Sequence, residues 1–200
     1  MVIPPVPAAV VLAGGQSRRM QGQDKALAMI GGQRMIDRVL NRLRPQVPEI
    51  LLAAPHDYGT GLPAIADQPL GPAGPAGAIR AVATYLAALG TDAFVTVPVD
   101  APFVPPDLVA RLSECGPVAV VRSDAVLQPA FALWSARAVL EALPPEQCAQ
   151  NWSLHRLVEA VAARSVEFAD AGALMNVNTP DDLAAARHWI DVAAGCIARE

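Results

Sequence analysis

The sequence predicts an α/β fold with a mostly parallel central sheet, and three observations carry that expectation. Short apolar runs, Ala8 to Ala13, Ile50 to Ala53 and Ala93 to Val99, are near-continuous, as strands buried on both faces require. Segments of helical period alternate with them, from Met35 to Leu43 and from Ala78 to Leu89. Polar or glycine residues close these strands, Gly14 after the first and Asp100 after the one ending at Val99. Right-handed crossovers would then set the carboxyl ends of the strands along one rim, where ligands bind in such sheets.

The elements follow in order. The first strand runs into a polar loop from Gln16 to Lys25, and Gly31-Gly32 makes a turn. Apolar positions at Met35, Ile36, Val39, Leu40 and Leu43 mark the first helix, with Pro45 just past its end. Ile50 to Ala53 is the second strand, and Leu62 to Ala66 a weaker third, ending at Asp67. Gly71 to Gly77 is a rigid Pro/Gly loop, and the Ala-rich helix after it stops at Gly90. Pro105-Pro106 opens a helix to Leu112, and strands follow at Val118 to Val121 and around Phe131 to Trp134. Short helices fit Ala136 to Ala142 and Trp152 to Ala162. Thr179-Pro180-Asp181-Asp182 starts a last helix towards Ala198: Thr179 can cap, Pro180 suits the first helical position, and the carboxylates face the positive end of the dipole.

Composition narrows the class. A chain of 200 residues can bury a sizeable core, and residues 1–200 are expected to form one domain. Hydrophobic residues make up 53%, but much of that is Ala, and no run reaches the roughly 18 apolar residues of a membrane span. The apolar N-terminus, Met1 to Leu12, carries no positive region and is broken by Pro4, Pro5 and Pro7, so it reads as a first strand and not as a signal peptide. A net charge of −4 argues against general nucleic-acid binding, which needs positive charge for the phosphate backbone. Cys115, Cys148 and Cys196 are odd in number and form no CxxC pair, which suits a reducing, cytoplasmic setting. His56, His155 and His188 show no metal-ligand spacing.

Three clusters would meet on the rim. The first is Leu12-Ala13-Gly14-Gly15-Gln16-Ser17-Arg18-Arg19-Met20, followed by Asp24-Lys25. Glycines let a backbone approach an anion, successive N–H groups form an anion-binding nest, and Arg19 and Lys25 add full charges suited to a triphosphate. The spacing is neither GxGxxG nor GxxxxGK[ST], which disfavours a dinucleotide dehydrogenase or a P-loop ATPase. A lone Gly-Gly would read as a simple turn with solvated arginines; the surrounding charges favour the anion site. The second is Val97-Pro98-Val99-Asp100-Ala101-Pro102-Phe103. Asp100 at a strand end is placed to hold Mg²⁺, which takes one or two carboxylates, and Asp-X-Pro is equally good turn chemistry. The third is Asn176-Val177-Asn178-Thr179-Pro180, whose two asparagines point the same way if extended. They could bind a ligand, or belong to a polar helix-entry loop.

Together LAGGQSRRM…DK, PVDAPF and NVNTPDD, in this order and spacing, resemble the molybdenum cofactor guanylyltransferases (the MobA family), over Val10 to about Ala186. The resemblance implies a three-layer Rossmann-like nucleotidyltransferase fold and transfer of GMP from GTP to molybdenum-molybdopterin, with release of pyrophosphate. It implies that Leu12, Ala13, Gly14 and Gly15 contact the nucleotide, Lys25 and Arg19 its phosphates, and Asp67 the nucleotide as well. Asp100 would hold Mg²⁺. Gly74 to Ile79 matches a segment beneath the base, Gln128 to Leu133 a segment on the second-substrate side, and Asn176 and Asn178 a motif near the pterin. On this resemblance the N-terminal half binds nucleotide and the C-terminal half molybdopterin. The enzyme is expected to act as a monomer whose protein partners include the molybdenum insertase and molybdoenzyme chaperones.

Two positions depart from the family pattern. Ala53 stands where an Asn is expected at the end of the second strand, and Ala78 where the Gly-rich segment should close on Gly. Both concern base identity, so a pterin cytidylyltransferase and a sugar-phosphate nucleotidyltransferase are the competing enzymes. Gly14-Gly15 favours guanine, because the pterin cytidylyltransferases resemble LAAG at this loop. A catalytically idle nucleotide-binding module should have lost Lys25 or Asp100, and both are present.

Overall fold

The computed structural model describes residues 6–14, 24–68, 71–72, 74–169 and 171–197. Gly15 and Arg19 therefore lie outside the described residues.

In chain order, β1 is Ala8–Leu12, followed by a one-turn 3₁₀ helix at Lys25–Leu27. The hairpin β2 (Met29–Ile30) and β3 (Gln33–Arg34) comes next, then α1 (Met35–Leu43), β4 (Ile50–Ala53) and β5 (Ala64–Ile65). The helix α2 (Pro75–Ala88) leads to β6 (Ala93–Pro98), α3 (Leu108–Cys115), β7 (Ala119–Ser123) and β8 (Val126–Ser135). The chain closes with α4 (Ala136–Ala142), α5 (Leu154–Ala160), β9 (Arg164–Glu167) and α6 (Pro180–Ile197).

Seven strands form one sheet in the order β5-β4-β1-β6-β8-β7-β9. All neighbours are parallel except those made by β8, which runs antiparallel to both β6 and β7. Alternation along the central strands feeds two cores. Ala9, Val11, Leu52, Val95 and Val97 face α1 and α3, while Ala8, Val10, Leu51, Ala53 and Phe94 face α2, α4 and α5. Burial on both faces explains why these strands read as unbroken apolar runs. The result is the expected three-layer, mostly parallel α/β architecture.

The first helix and the second strand match their sequence patterns residue for residue, and several boundaries differ for local reasons. Helix α2 begins three residues earlier than its apolar pattern, because Pro75 occupies its first turn after Gly74 at φ 79°. The pair Pro105-Pro106 forms a turn and not helix; α3 starts at Leu108, where Gln46 Oε1 accepts the Val109 N–H at 3.1 Å. Strand β8 extends five residues upstream of its predicted start. Asp124 and Ala125, at φ 49° and 62°, form a tight two-residue turn that an Asp-Ala pair does not announce. The hairpin β2–β3 turns at Gly31-Gly32, as expected, at φ 51° and 76°. Strand β9, Arg-Ser-Val-Glu on the sheet edge, has no apolar run to reveal it.

Candidate active site

The carboxyl ends of β1 and β6 lie side by side, with Leu12 paired to Pro98. Just past them the chain opens a cleft of about 240 Å³. Its walls include Leu12, Ala13, Gly14, Lys25 and Asp100, so five of the residues predicted from the first two clusters are brought together. Ala53, Pro75, Ala78, Ala130 and Leu154 complete a largely apolar flank.

The turn after β1 is shaped by its backbone. Ala13 and Gly14 both donate to the carbonyl of Ala53, at 3.1 and 2.9 Å, and Val99 donates to the carbonyl of Leu12 at 3.1 Å. Opposite this turn, Asp24 Oδ1 accepts the Ala26 N–H at 3.0 Å, capping the 3₁₀ turn that carries Lys25. The Lys25 ammonium then reaches across the cleft. It donates to Asp100 Oδ2 at 2.9 Å and to Asn178 Oδ1 at 2.5 Å. All three predicted clusters thus converge on one ammonium group.

The third cluster is held from below. Val177 donates its N–H to the Asp100 carbonyl at 2.7 Å, fixing the asparagine segment to the end of β6. Asp182 Oδ2 accepts the N–H groups of Asn178 and Thr179, each at 2.9 Å, while Thr179 Oγ1 accepts the Asp182 N–H at 3.1 Å. This reciprocal arrangement is a capping box, which starts α6 and locks Asn178 at once. The hydrogen bond from Asn178 N–H, with others from Thr179 and the nearby positive charge of Lys25, holds the Asp182 carboxyl below its usual range against a smaller opposing effect of burial. Asn176 sits one residue before buried Val177, and its Oδ1 is buried without a hydrogen-bond partner among the described residues.

Asp67 follows β5 on the same rim but is not among the lining of the cleft. Its outer side is exposed, and partial burial of the rest raises its carboxyl above the usual range. Gly77 carries the close approach in the Pro/Gly loop: a Cβ there would lie 1.9 Å from the Pro72 carbonyl oxygen. The steric demand of the segment is thus met one residue before Ala78, which instead presents its methyl group to the cleft.

Sequence reasoning missed Tyr58. Its hydroxyl is buried and donates to the Ala13 carbonyl at 3.0 Å. Burial first, then the neighbouring Asp24 carboxylate, push this hydroxyl up to about 12. A lone aromatic in the polar run Pro-His-Asp-Tyr-Gly-Thr-Gly gives no periodic signal by which to find it.

No helix among the described residues is long and apolar enough to cross a membrane. A family model for the MobA-like NTP transferase domain matches residues 9–165. A molybdenum cofactor guanylyltransferase of Cereibacter sphaeroides is 39% identical over 183 residues, covering 88% of this chain and 93% of its own length. Another enzyme of that name, from Rhizobium leguminosarum bv. trifolii, is 38% identical over 196 residues, covering 92% and 93%. Among solved structures, molybdopterin-guanine dinucleotide biosynthesis protein A from Archaeoglobus fulgidus matches with a TM-score of 0.73 at 21% identity, over 92% of this chain and 98% of that one. A 4-diphosphocytidyl-2C-methyl-D-erythritol synthase from Anaerococcus prevotii matches at 0.69 and 12% identity, over 94% and 96%, and so shares the fold. With a family model spanning most of its length and relatives near 40% identity, this chain is a nucleotidyltransferase belonging to the MobA-like NTP transferase family.

Proposed function

We propose that this enzyme transfers GMP from GTP to molybdenum-molybdopterin, releasing pyrophosphate and forming the guanine dinucleotide form of the cofactor. The observation that carries the reading is the convergence of Lys25, Asp100 and Asn178 beside the Gly14 turn. The names of the relatives at 38–39% identity support the same acceptor and the same base.

The acceptor in this reaction is a phosphate monoester, already anionic, so no protein nucleophile is needed. Its oxygen attacks the α-phosphorus of GTP in line, and the bond to the leaving pyrophosphate breaks. The protein contributes positioning and charge neutralisation. Lys25 shifts from its carboxylate and amide partners to the phosphates, and Arg19 and the N–H groups that follow Gly14, from Gly15 on, receive the rest of the triphosphate. The apolar flank of Ala53, Pro75 and Ala78 accepts the base, with Asp67 at its outer edge offering an acceptor. Asn176 and Asn178 belong to the pterin side on this reading.

The donor set fits Mg²⁺. Asp100 offers a hard carboxylate whose Oδ1 takes no hydrogen bond from the described residues, and Asn178 offers a second hard oxygen. Mg²⁺ commonly takes one or two carboxylates from protein and completes its shell with phosphates and water. When bound, the ion supplies Lewis-acid neutralisation of phosphate charge. On this reading residues 1–200 work as one domain, as a cytoplasmic monomer, in exchange with the molybdenum insertase and molybdoenzyme chaperones. The test is pyrophosphate release from GTP, CTP, ATP and UTP, with and without molybdenum-molybdopterin. Release that depends on both GTP and the pterin is expected. Turnover with a sugar phosphate in place of the pterin, or with CTP above GTP, would overturn the assignment.

A further inference from the structure

The segment around Tyr58 is held more firmly than an exposed turn between two strands requires. Tyr58 has φ 54°, in the left-handed region that a bulky side chain adopts at a cost. Three sets of bonds hold it there. Arg34 Nη1 donates to the Tyr58 carbonyl at 2.7 Å while the same guanidinium pairs with Asp37. The Tyr58 N–H donates to His56 Nδ1 at 3.3 Å. Asp57 accepts the N–H groups of Gly59 and Gly61, each at 3.1 Å. Strained residues so over-determined cluster at functional sites.

What this conformation achieves is the placement of one hydroxyl. The Ala13 carbonyl lies just past the end of β1, beyond the reach of the strand ladder, and Tyr58 supplies its donor at 3.0 Å. The next N–H, that of Gly14, belongs to the same peptide plane and is held by Ala53 at 2.9 Å. The plane is thus pinned at both its oxygen and its nitrogen.

We propose that Tyr58 is a positioning residue for nucleotide binding: its hydroxyl fixes the Ala13–Gly14 peptide at the mouth of the cleft. Tyr58 does not line the cleft and touches no reacting atom. Its role is to fix the turn from which the anion-binding loop departs, so its loss should weaken nucleotide binding and leave the chemical step largely intact. The inference rests on GTP being the donor nucleotide.

The experiment compares the dissociation constant for GTP with Mg²⁺, and kcat at saturating GTP, in wild type and Tyr58→Phe. A rise of about tenfold in the dissociation constant is expected, with kcat within about threefold, as for one lost buried hydrogen bond. Trp134→Phe is the control. It removes another buried side-chain bond, Trp134 Nε1 to Thr96 Oγ1 at 2.9 Å, on β8 away from the cleft, and should leave GTP affinity unchanged. Unchanged affinity in Tyr58→Phe overturns the proposal, and so does an equal loss in Trp134→Phe. If Tyr58→Phe does not fold, Arg34→Gln, which releases the Tyr58 carbonyl, must show the same rise; unchanged affinity there overturns the proposal too. Wild-type enzyme that binds no GTP overturns the assigned function along with it.

Discussion

The ammonium of Lys25 lies 2.9 Å from the carboxylate of Asp100, although 75 residues separate them in the chain. The pair is largely sheltered, each side chain being 19% exposed. Removing either partner would leave the other charge in a site where solvent is reduced.

Asp100→Asn is expected to keep the fold and lose transfer activity by about a hundredfold or more, because it would remove the carboxylate charge proposed to hold Mg²⁺. Turnover should be measured at limiting Mg²⁺ beside a thermal melt. A well-folded variant with near-normal turnover would sink the metal assignment.

Lys25→Ala is expected to reduce turnover far more than it reduces stability, and Arg19→Ala likewise. Partly exposed truncations outside the core usually change stability by about half a kcal/mol. For Lys25 the freed Asp100 adds to that cost, so the comparison is with the double variant Lys25→Ala/Asp100→Asn, which should melt higher and remain inactive. Activity that recovers with the melting temperature would show that Lys25 acts through the fold alone.

Ala53→Asn is expected to sharpen the choice of GTP over CTP and ATP. Ala53 lines the cleft, and its carbonyl is already committed to the Ala13 and Gly14 N–H groups, so this position offers the base no free polar atom. A guanine group left unpaired on burial costs roughly 1–3 kcal/mol, which a side-chain amide there could recover. Competition between nucleotides at equal concentration measures the ratio. A ratio that does not move places position 53 out of contact with the base.

Asp182→Asn should weaken the protein selectively above acid pH. The folded carboxyl is held below its usual range, so its contribution is present above the unfolded value of about 4 and is lost as pH falls through the lower folded value. Urea midpoints followed from pH 7 down to pH 2.5 should therefore differ most at neutrality and converge in acid. Parallel curves over the whole range would remove the capping box as the source of that stability.

Much of this was legible in the sequence because the signals were local. Met35 to Leu43 carries its own period, and Thr179 and Asp182 spell their cap in four residues. The placing of Gly14 and Asp100 beside each other was legible too, since strand ends in a parallel sheet share a rim. What could not be read was pairing at a distance. That Lys25 would bond Asn178, that Gln46 would cap α3, and that Tyr58 would bond Ala13 all depend on which elements pack together. Strand β9 and the turn at Asp124-Ala125 escaped for a different reason: their residues have little preference of their own, and neighbouring strands impose the conformation.

The reversed strand has one more consequence. Because β8 runs against its neighbours, its beginning and not its end arrives at the rim, and the pairing with β7 skips between Val120 and Val121 there. Ala130 therefore meets the cleft from the stretch of β8 between the paired residues Gln128 and Ala132, whereas Gly14 and Lys25 meet it from turns. The two walls of the cleft are therefore built differently: the Gly14 wall is a turn tied down at both ends of one peptide, and the Ala130 wall is a stretch of strand where the ladder slips by its neighbour.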